Sequence, residues 1–194
     1  EPEPEPYGYK FTDKNELKTA INLWTGTNNS ESYADIQEYN TIHPNGGDIG
    51  VAYAQQLASV RFDTYSTSFG QAGTQYNDKR KEAIEQYGDI STWDVTAITD
   101  MSELFKDKLT FNEDISNWDV RNVTNMTRMF QNAFLFYQEI GQWNVSSVRD
   151  MSYMFRNAKR FNNVISSWDT RNVINMEGMF SWSTRFNGYI NEKD

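Results

Sequence analysis

Residues 111–130 read FNEDISNWDVRNVTNMTRMF, and the chain repeats this pattern four times between residues 90 and 187. Tryptophan stands at Trp93, Trp118, Trp143 and Trp168, and Ile90, Ile115, Ile140 and Ile165 keep step with it. So do Phe105, Phe130, Phe155 and Phe180, then Phe111, Phe136, Phe161 and Phe186, then Met101, Met126, Met151 and Met176. Five apolar columns with one unslipping period mark a stacked-repeat protein, in which each coil buries its apolar face only against neighbours.

Within a coil the I-x-x-W-D-V-x-x-(I/V) run, Ile115 to Val123, matches the L-x-x-L-x-L strand pattern of leucine-rich repeats. Alternation around Trp118-Asp119-Val120 predicts a strand with Trp118 and Val120 inward and Asp119 outward. Met126, Met129, Phe130 and Ala133 then stand at i, i+3, i+4 and i+7, the face of a short helix. Asp100, Asn125, Asp150 and Asn175 precede those helices, where a side-chain oxygen accepts the first free backbone N–H groups. The fold expected from this pattern is α/β, a leucine-rich-repeat-like solenoid of about four 25-residue coils with a helical N-terminal cap.

These repeats resemble the BspA-like surface leucine-rich-repeat family, on the strength of FNEDISNWDVRNVTNMTRMF and its copies over about residues 90–190. The resemblance reaches back to Glu16–Trp24 and Glu82–Gly88, which look like the helical lead-in to such arrays. It implies a surface-exposed binding or adhesion scaffold with no catalytic residues.

The chain divides into an acidic Pro-rich tail at 1–10, a helical cap at 11–88 with an insertion at 25–77, and the array at 89–194. Glu-Pro-Glu-Pro-Glu-Pro favours extended polyproline II, and a start without Met reads as a processed end. Asp13 and Glu16 form a capping box, Leu17, Ala20, Ile21 and Trp24 one apolar face, and Gly26 the stop. A second helix is expected from Asp48, with Ile49, Ala52, Tyr53, Gln56, Leu57 and Val60 on one face. Residues 62–76 read as a Tyr- and Ser-rich contact loop or as packing against the cap. The last cap helix is expected from Asn77 or Asp78 to Tyr87, stopped by Gly88. A fifth copy begins at Tyr189-Ile190 but has Lys193 at the tryptophan position, which reads as termination of the array.

A formal net charge of −9 argues against nucleic acid as partner, because phosphate contacts need a basic surface. With no cysteine, thiol and disulfide chemistry are excluded. No apolar run approaches the ~20 residues of a membrane span. The single histidine, His43, stands beside Pro44 in a turn, so no histidine dyad or His-rich metal site can be built. Nucleotide-binding and nucleophile-elbow motifs are absent, and the residues point to no enzyme, no cofactor and no metal.

Two groups of candidate binding residues remain. The outward column Asp94, Asp119, Asn144 and Asp169, with Arg121 and Arg171 as counter-charges, reads as a hydrogen-bonded ladder, a surface for a basic partner, or a weak calcium site. Phe134, Leu135 and Tyr137 in the turn of the second coil, with Trp182 and Tyr189 later, exceed the needs of the repeat. They read as an interface or as a contact with the 25–77 insertion. Sequons at Asn122, Asn125 and Asn144 fall on repeat positions, leaving Asn28 the more credible acceptor of a glycan. The expected function is a non-catalytic protein-binding or adhesion module on a cell surface or secreted, with an organelle lumen as a further setting. The alternative is a structural subunit of a larger assembly.

Overall fold

The computed structural model describes residues 8–26 and 70–187, with 70–77 in backbone only. The Pro-rich start, His43, Asn28, the helix expected from Asp48, the 62–69 part of the loop, Tyr189 and Lys193 lie outside the described residues. Helix α1 is Lys14–Thr25 and helix α2 is Gly70–Tyr87, followed by a 3-10 turn at Ile90–Thr92.

The α/β leucine-rich-repeat expectation is overturned. Among the described residues there is no strand, and no helix lies in the array: neighbouring coils meet in isolated parallel bridges, Asp100 to Asn125, Asn125 to Asp150 and Asp150 to Asn175. The coils are built of turns. In the segment expected as helix, Met129, Gln131 and Ala133 donate to the carbonyls three residues back, at Met126, Arg128 and Phe130. The intervening N–H groups, at Met126, Arg128, Phe130 and Asn132, donate instead to Asp150, Ser152, Met154 and Arg156 of the next coil. A helix spends its N–H groups internally, whereas this backbone exports every second one, and so binds coil to coil.

Alternate turns of this kind, those closed by Met129 and Ala133, take a positive φ at their third residue. Arg128 and Asn132 have φ of 54° and 60°, as do their counterparts Glu103, Asp107, Tyr153, Asn157 and Trp182 at 56–64°. At Gly178 (φ 57°) the glycine has a second reason, because an added Cβ would lie 2.5 Å from the Tyr153 ring. An isolated helix of eight residues is marginal in water, so inter-coil bonding overrides the helical periodicity. The periodicity still names the buried residues correctly: Met126, Met129, Phe130 and Ala133 are all fully buried.

The expected strand fails for a related reason. Trp118 and Val120 are buried and Asp119 is half-buried, so the alternation holds. The Trp118 backbone N–H, however, bonds within its own coil, to the Ile115 carbonyl at 3.1 Å. Its indole makes the link between coils: Trp118 Nε1 donates to the Ile90 carbonyl at 2.9 Å, Trp143 to Ile115 at 3.2 Å and Trp168 to Ile140 at 3.1 Å. Tryptophan recurs because this position needs both a large buried ring and a donor.

Phenylalanine fills the rest of the core. Phe105, Phe130, Phe155 and Phe180 stack with centroids 5.3, 5.5 and 5.6 Å apart and nearly parallel planes. Each also lies against the second Phe of its own coil, Phe130 on Phe136 at 4.0 Å and Phe155 on Phe161 at 3.8 Å. Each such pair adds about 0.5–1.5 kcal/mol beyond its buried area.

The cap covers the first coil. Asp13 caps α1 by accepting from the Asn15 and Glu16 N–H groups, and Gly26 ends it at φ 67°. Leu17, Ala20, Ile21 and Trp24 are buried as their spacing requires. Helix α2 begins at Gly70, earlier than the expected Asn77 or Asp78. Residues 8–11, read as tail and its border, instead pair with the first coil: Gly8 N–H donates to Thr92, Phe11 N–H to Asp94, and Asp94 N–H to Tyr9. Lys14 extends this contact, with Nζ 2.9 Å from Asp100 Oδ2 and 2.5 Å from Ser102 Oγ.

Candidate functional site

Each residue of the acidic column closes a local turn. Asp94, Asp119, Asn144 and Asp169 accept through Oδ1 from the backbone N–H two residues on, at 2.9, 3.2, 3.1 and 3.3 Å. Three also have a cation: Lys10 lies 3.7 Å from Asp94, Arg121 2.8 Å from Asp119 and Arg171 2.6 Å from Asp169. The Arg121 guanidinium, ahead of any other influence, holds the Asp119 carboxyl below its ordinary range. At Asp94 burial pushes upward, and the Thr96 hydroxyl and N–H with Lys10 together outweigh it.

A second column runs Asp100, Asn125, Asp150, Asn175 and makes the same turn to Ser102, Thr127, Ser152 and Glu177. The side-chain bond expected of a helix cap therefore forms, with no helix behind it. Alternation of acid and amide lets neighbours bond, as Asn175 Nδ2 does to Asp150 Oδ2 at 3.1 Å. Burial alone would push the Asp150 carboxyl up, but the Ser152 hydroxyl and N–H, Thr127 and Asn175 outweigh it and hold it low. A carboxyl lowered in the folded state stabilises above its unfolded value and loses that contribution as pH falls through its folded value. The array is thus expected to lose stability below about pH 4. Asp150→Asn, which copies its neighbours in the column, is expected to leave melting at pH 7 within a few degrees and to flatten that acid limb. Thermal melts from pH 7 to pH 2.5 check both.

The sequons on the array belong to these ladders or to similar ones. Asn122 Nδ2 donates to the Thr96 carbonyl at 2.8 Å, Asn125 Oδ1 accepts from Thr127 N–H, and Asn144 Oδ1 accepts from Ser146.

The aromatic turn divides into covered and exposed residues. Phe134 and Leu135 are 1% and 7% exposed. Their turn is pinned between coils, because Leu135 N–H donates to Leu109 at 3.0 Å and the Phe134 carbonyl accepts from Arg160 N–H at 3.1 Å. Both side chains are covered and offer no free surface. Tyr137 and Trp182 are 52% and 70% exposed.

Tyr137 stands at the edge of an open cleft of about 350 Å³ lined by Tyr137, Glu139, Arg160, Asn162, Asn163 and Arg185. Only Tyr137 of these was singled out in the sequence. Asn163 is buried and donates to the carbonyls of Tyr137 and Gln138, tying the cleft floor to the coil before it. The Nε of Arg160 is buried without a hydrogen-bond partner among the described residues. Arg80, Arg121, Arg128 and Arg171 form ion pairs, whereas Arg149, Arg156, Arg160 and Arg185 form none among the described residues, and of these four only Arg160 and Arg185 line the cleft. The available signal was the column Thr110, Leu135, Arg160, Arg185, where arginine appears only in the last two coils.

No group of three or more His, Asp or Glu side chains suited to a metal ion occurs among the described residues. No helix among them is long and apolar enough to cross a membrane.

A capped stack of turn-built repeats defines the class of the protein. The family described as Mycoplasma protein of unknown function, DUF285, matches residues 74–193, more than half of the chain, and the chain belongs to it. Neither the comparison with curated proteins nor that with solved structures gives a match.

Proposed function

We propose that the chain is a non-catalytic protein-binding or adhesion module of a cell-surface or secreted protein. The observation that carries this reading is a change of character toward the last coil. Where earlier coils have Thr99, Thr124 and Arg149, the last has Ile174, 81% exposed. Asp107, Asn132 and Asn157 form a side-chain ladder, with bonds of 2.6 and 2.9 Å, and the next residue in that column is Trp182. Val164, 64% exposed, follows Asp114 and Glu139 in the same way. Core packing asks for none of these three, and solvent-facing apolar residues beyond core needs mark contact surfaces. The likeness of the repeats to BspA-like surface proteins supports the surface setting.

A second reading, a structural subunit built permanently into an assembly, rests on a different observation. The N–H groups of Met151, Tyr153, Phe155 and Asn157 each donate to the next coil, while those of Met176, Gly178, Phe180 and Trp182 make no hydrogen bond among the described residues. A permanently stacked neighbour would satisfy them. Light scattering behind size exclusion separates the two readings. The binding-module reading expects a monomer at all concentrations, and Ile174→Ser with Trp182→Ser then changes neither mass nor melting temperature. A mass that rises with concentration and returns to monomer in the double variant overturns it in favour of the structural subunit.

A further inference from the structure

The geometry points to a second, small-ligand site in the Tyr137–Arg160–Arg185 cleft, one that takes an acidic sugar unit of the uronic acid type. It stands apart from the protein-partner reading, since it uses neither Ile174 nor Trp182. The chain has a formal net charge of −9, so its surface repels anions in general. Two arginines without ion pairs among the described residues line one cleft and reverse that preference locally. A guanidinium matches a carboxylate in a two-pronged hydrogen bond, and Arg160 and Arg185 bring two of them to this cleft.

The rest of the lining narrows the class of anion. Glu139 in the same cleft disfavours a ligand that is only acidic and wants hydrogen-bond donors. Asn162 and Asn163 add amide groups, and the half-exposed Tyr137 ring offers an apolar face beside its hydroxyl. A uronic acid carries one carboxylate, several hydroxyl donors and an apolar C–H face. About 350 Å³ in an open cleft suits one such ring. Repetition contributes as well: the site exists only where Arg160 and Arg185 follow one another in adjacent coils, so earlier coils with Thr110 and Leu135 do not duplicate it.

Calorimetric or NMR titration of the full chain with sodium glucuronate tests the site, with glucose and N-acetylglutamate as comparison ligands. Binding of glucuronate with Kd of about 1 mM is expected, with glucose undetected and N-acetylglutamate weaker by about tenfold or more. Arg185→Gln and Tyr137→Ser, both at exposed residues, are expected to weaken glucuronate by about tenfold or more at unchanged melting temperature. Arg149→Gln, an exposed arginine away from the cleft, is expected to bind as the parent does. Absence of glucuronate binding at ~50 mM overturns the proposal, as does equal binding of glucose. Preference for N-acetylglutamate overturns it in favour of an acidic peptide group. Equal loss in Arg149→Gln overturns it in favour of diffuse charge.

Discussion

Trp118→Ala is expected to destabilise the array by about 3–5 kcal/mol, the range for truncating a large buried aromatic side chain. Trp118 is 2% exposed and lies against Trp93 and Phe105, with centroids 6.3 and 5.7 Å away. Its indole N–H also satisfies the Ile90 carbonyl in the coil before it. Truncation therefore opens a cavity between two coils and removes one of two donors to the Ile90 carbonyl, which keeps the Trp93 N–H at 3.4 Å. For a chain of this size the melting temperature should fall on the order of ten degrees. Trp118→Phe separates the two contributions: it keeps most of the ring and removes only the donor, at a cost of about 0.5–1.5 kcal/mol. Chemical and thermal unfolding of both variants reads the difference. Melting of Trp118→Ala within a degree or two of the parent would show that the indole column does not join the coils.

The same residue shows what can be read from sequence and what cannot. Five apolar columns in register told which side chains turn inward, apart from Met176 in the last coil, which is 39% exposed, and Trp93, Trp118, Trp143 and Trp168 are all buried. Column Asp100, Asn125, Asp150, Asn175 announced a side-chain acceptor for the N–H groups that follow, and those bonds form. Secondary structure was misread because periodicity reports where side chains go, whereas helix, strand and stacked turn differ in where backbone N–H groups go. Residues at i, i+3, i+4 and i+7 share a face in a helix and also in consecutive turns. That Arg128 N–H reaches Ser152 in the next coil is a relation across 24 residues, which no local pattern records.

The structure places the candidate site residues for equally local reasons. Phe134 is followed in its column by Lys159, so nothing in the repeat marked it as buried, yet it is 1% exposed. Asp119 and Asp169 stood out as a charged column, and each proves to be closing a turn beside its own arginine. Arg160 and Arg185 passed unnoticed because two surface arginines on a repeat look like ordinary solvation until the structure brings them to one cleft with Tyr137.

Phe11→Ala is expected to detach the cap from the array. Nothing in the sequence pattern singles out Phe11, which follows a stretch that reads as a polar tail. In the structure it is fully buried, with Trp93 at 4.9 Å, Tyr87 at 5.4 Å and Tyr9 at 4.9 Å. It thus joins the N-terminal segment, the end of α2 and the first tryptophan of the repeat column. Its backbone N–H also donates to the Asp94 carbonyl, so the side chain sits where the cap meets the first coil. Loss of the ring should cost about 3–5 kcal/mol and should be felt first at that end, since a stack of repeats transmits stability only through neighbours. Hydrogen exchange gives the decisive reading. Amides at Phe11 and Asp94 should lose protection in the variant, while Met101, Phe130 and Asn132, held by the next coil, keep theirs. Uniform loss along the array would instead mean that cap and coils unfold as one cooperative unit. Unchanged protection at Asp94 would mean that the cap is not anchored through Phe11.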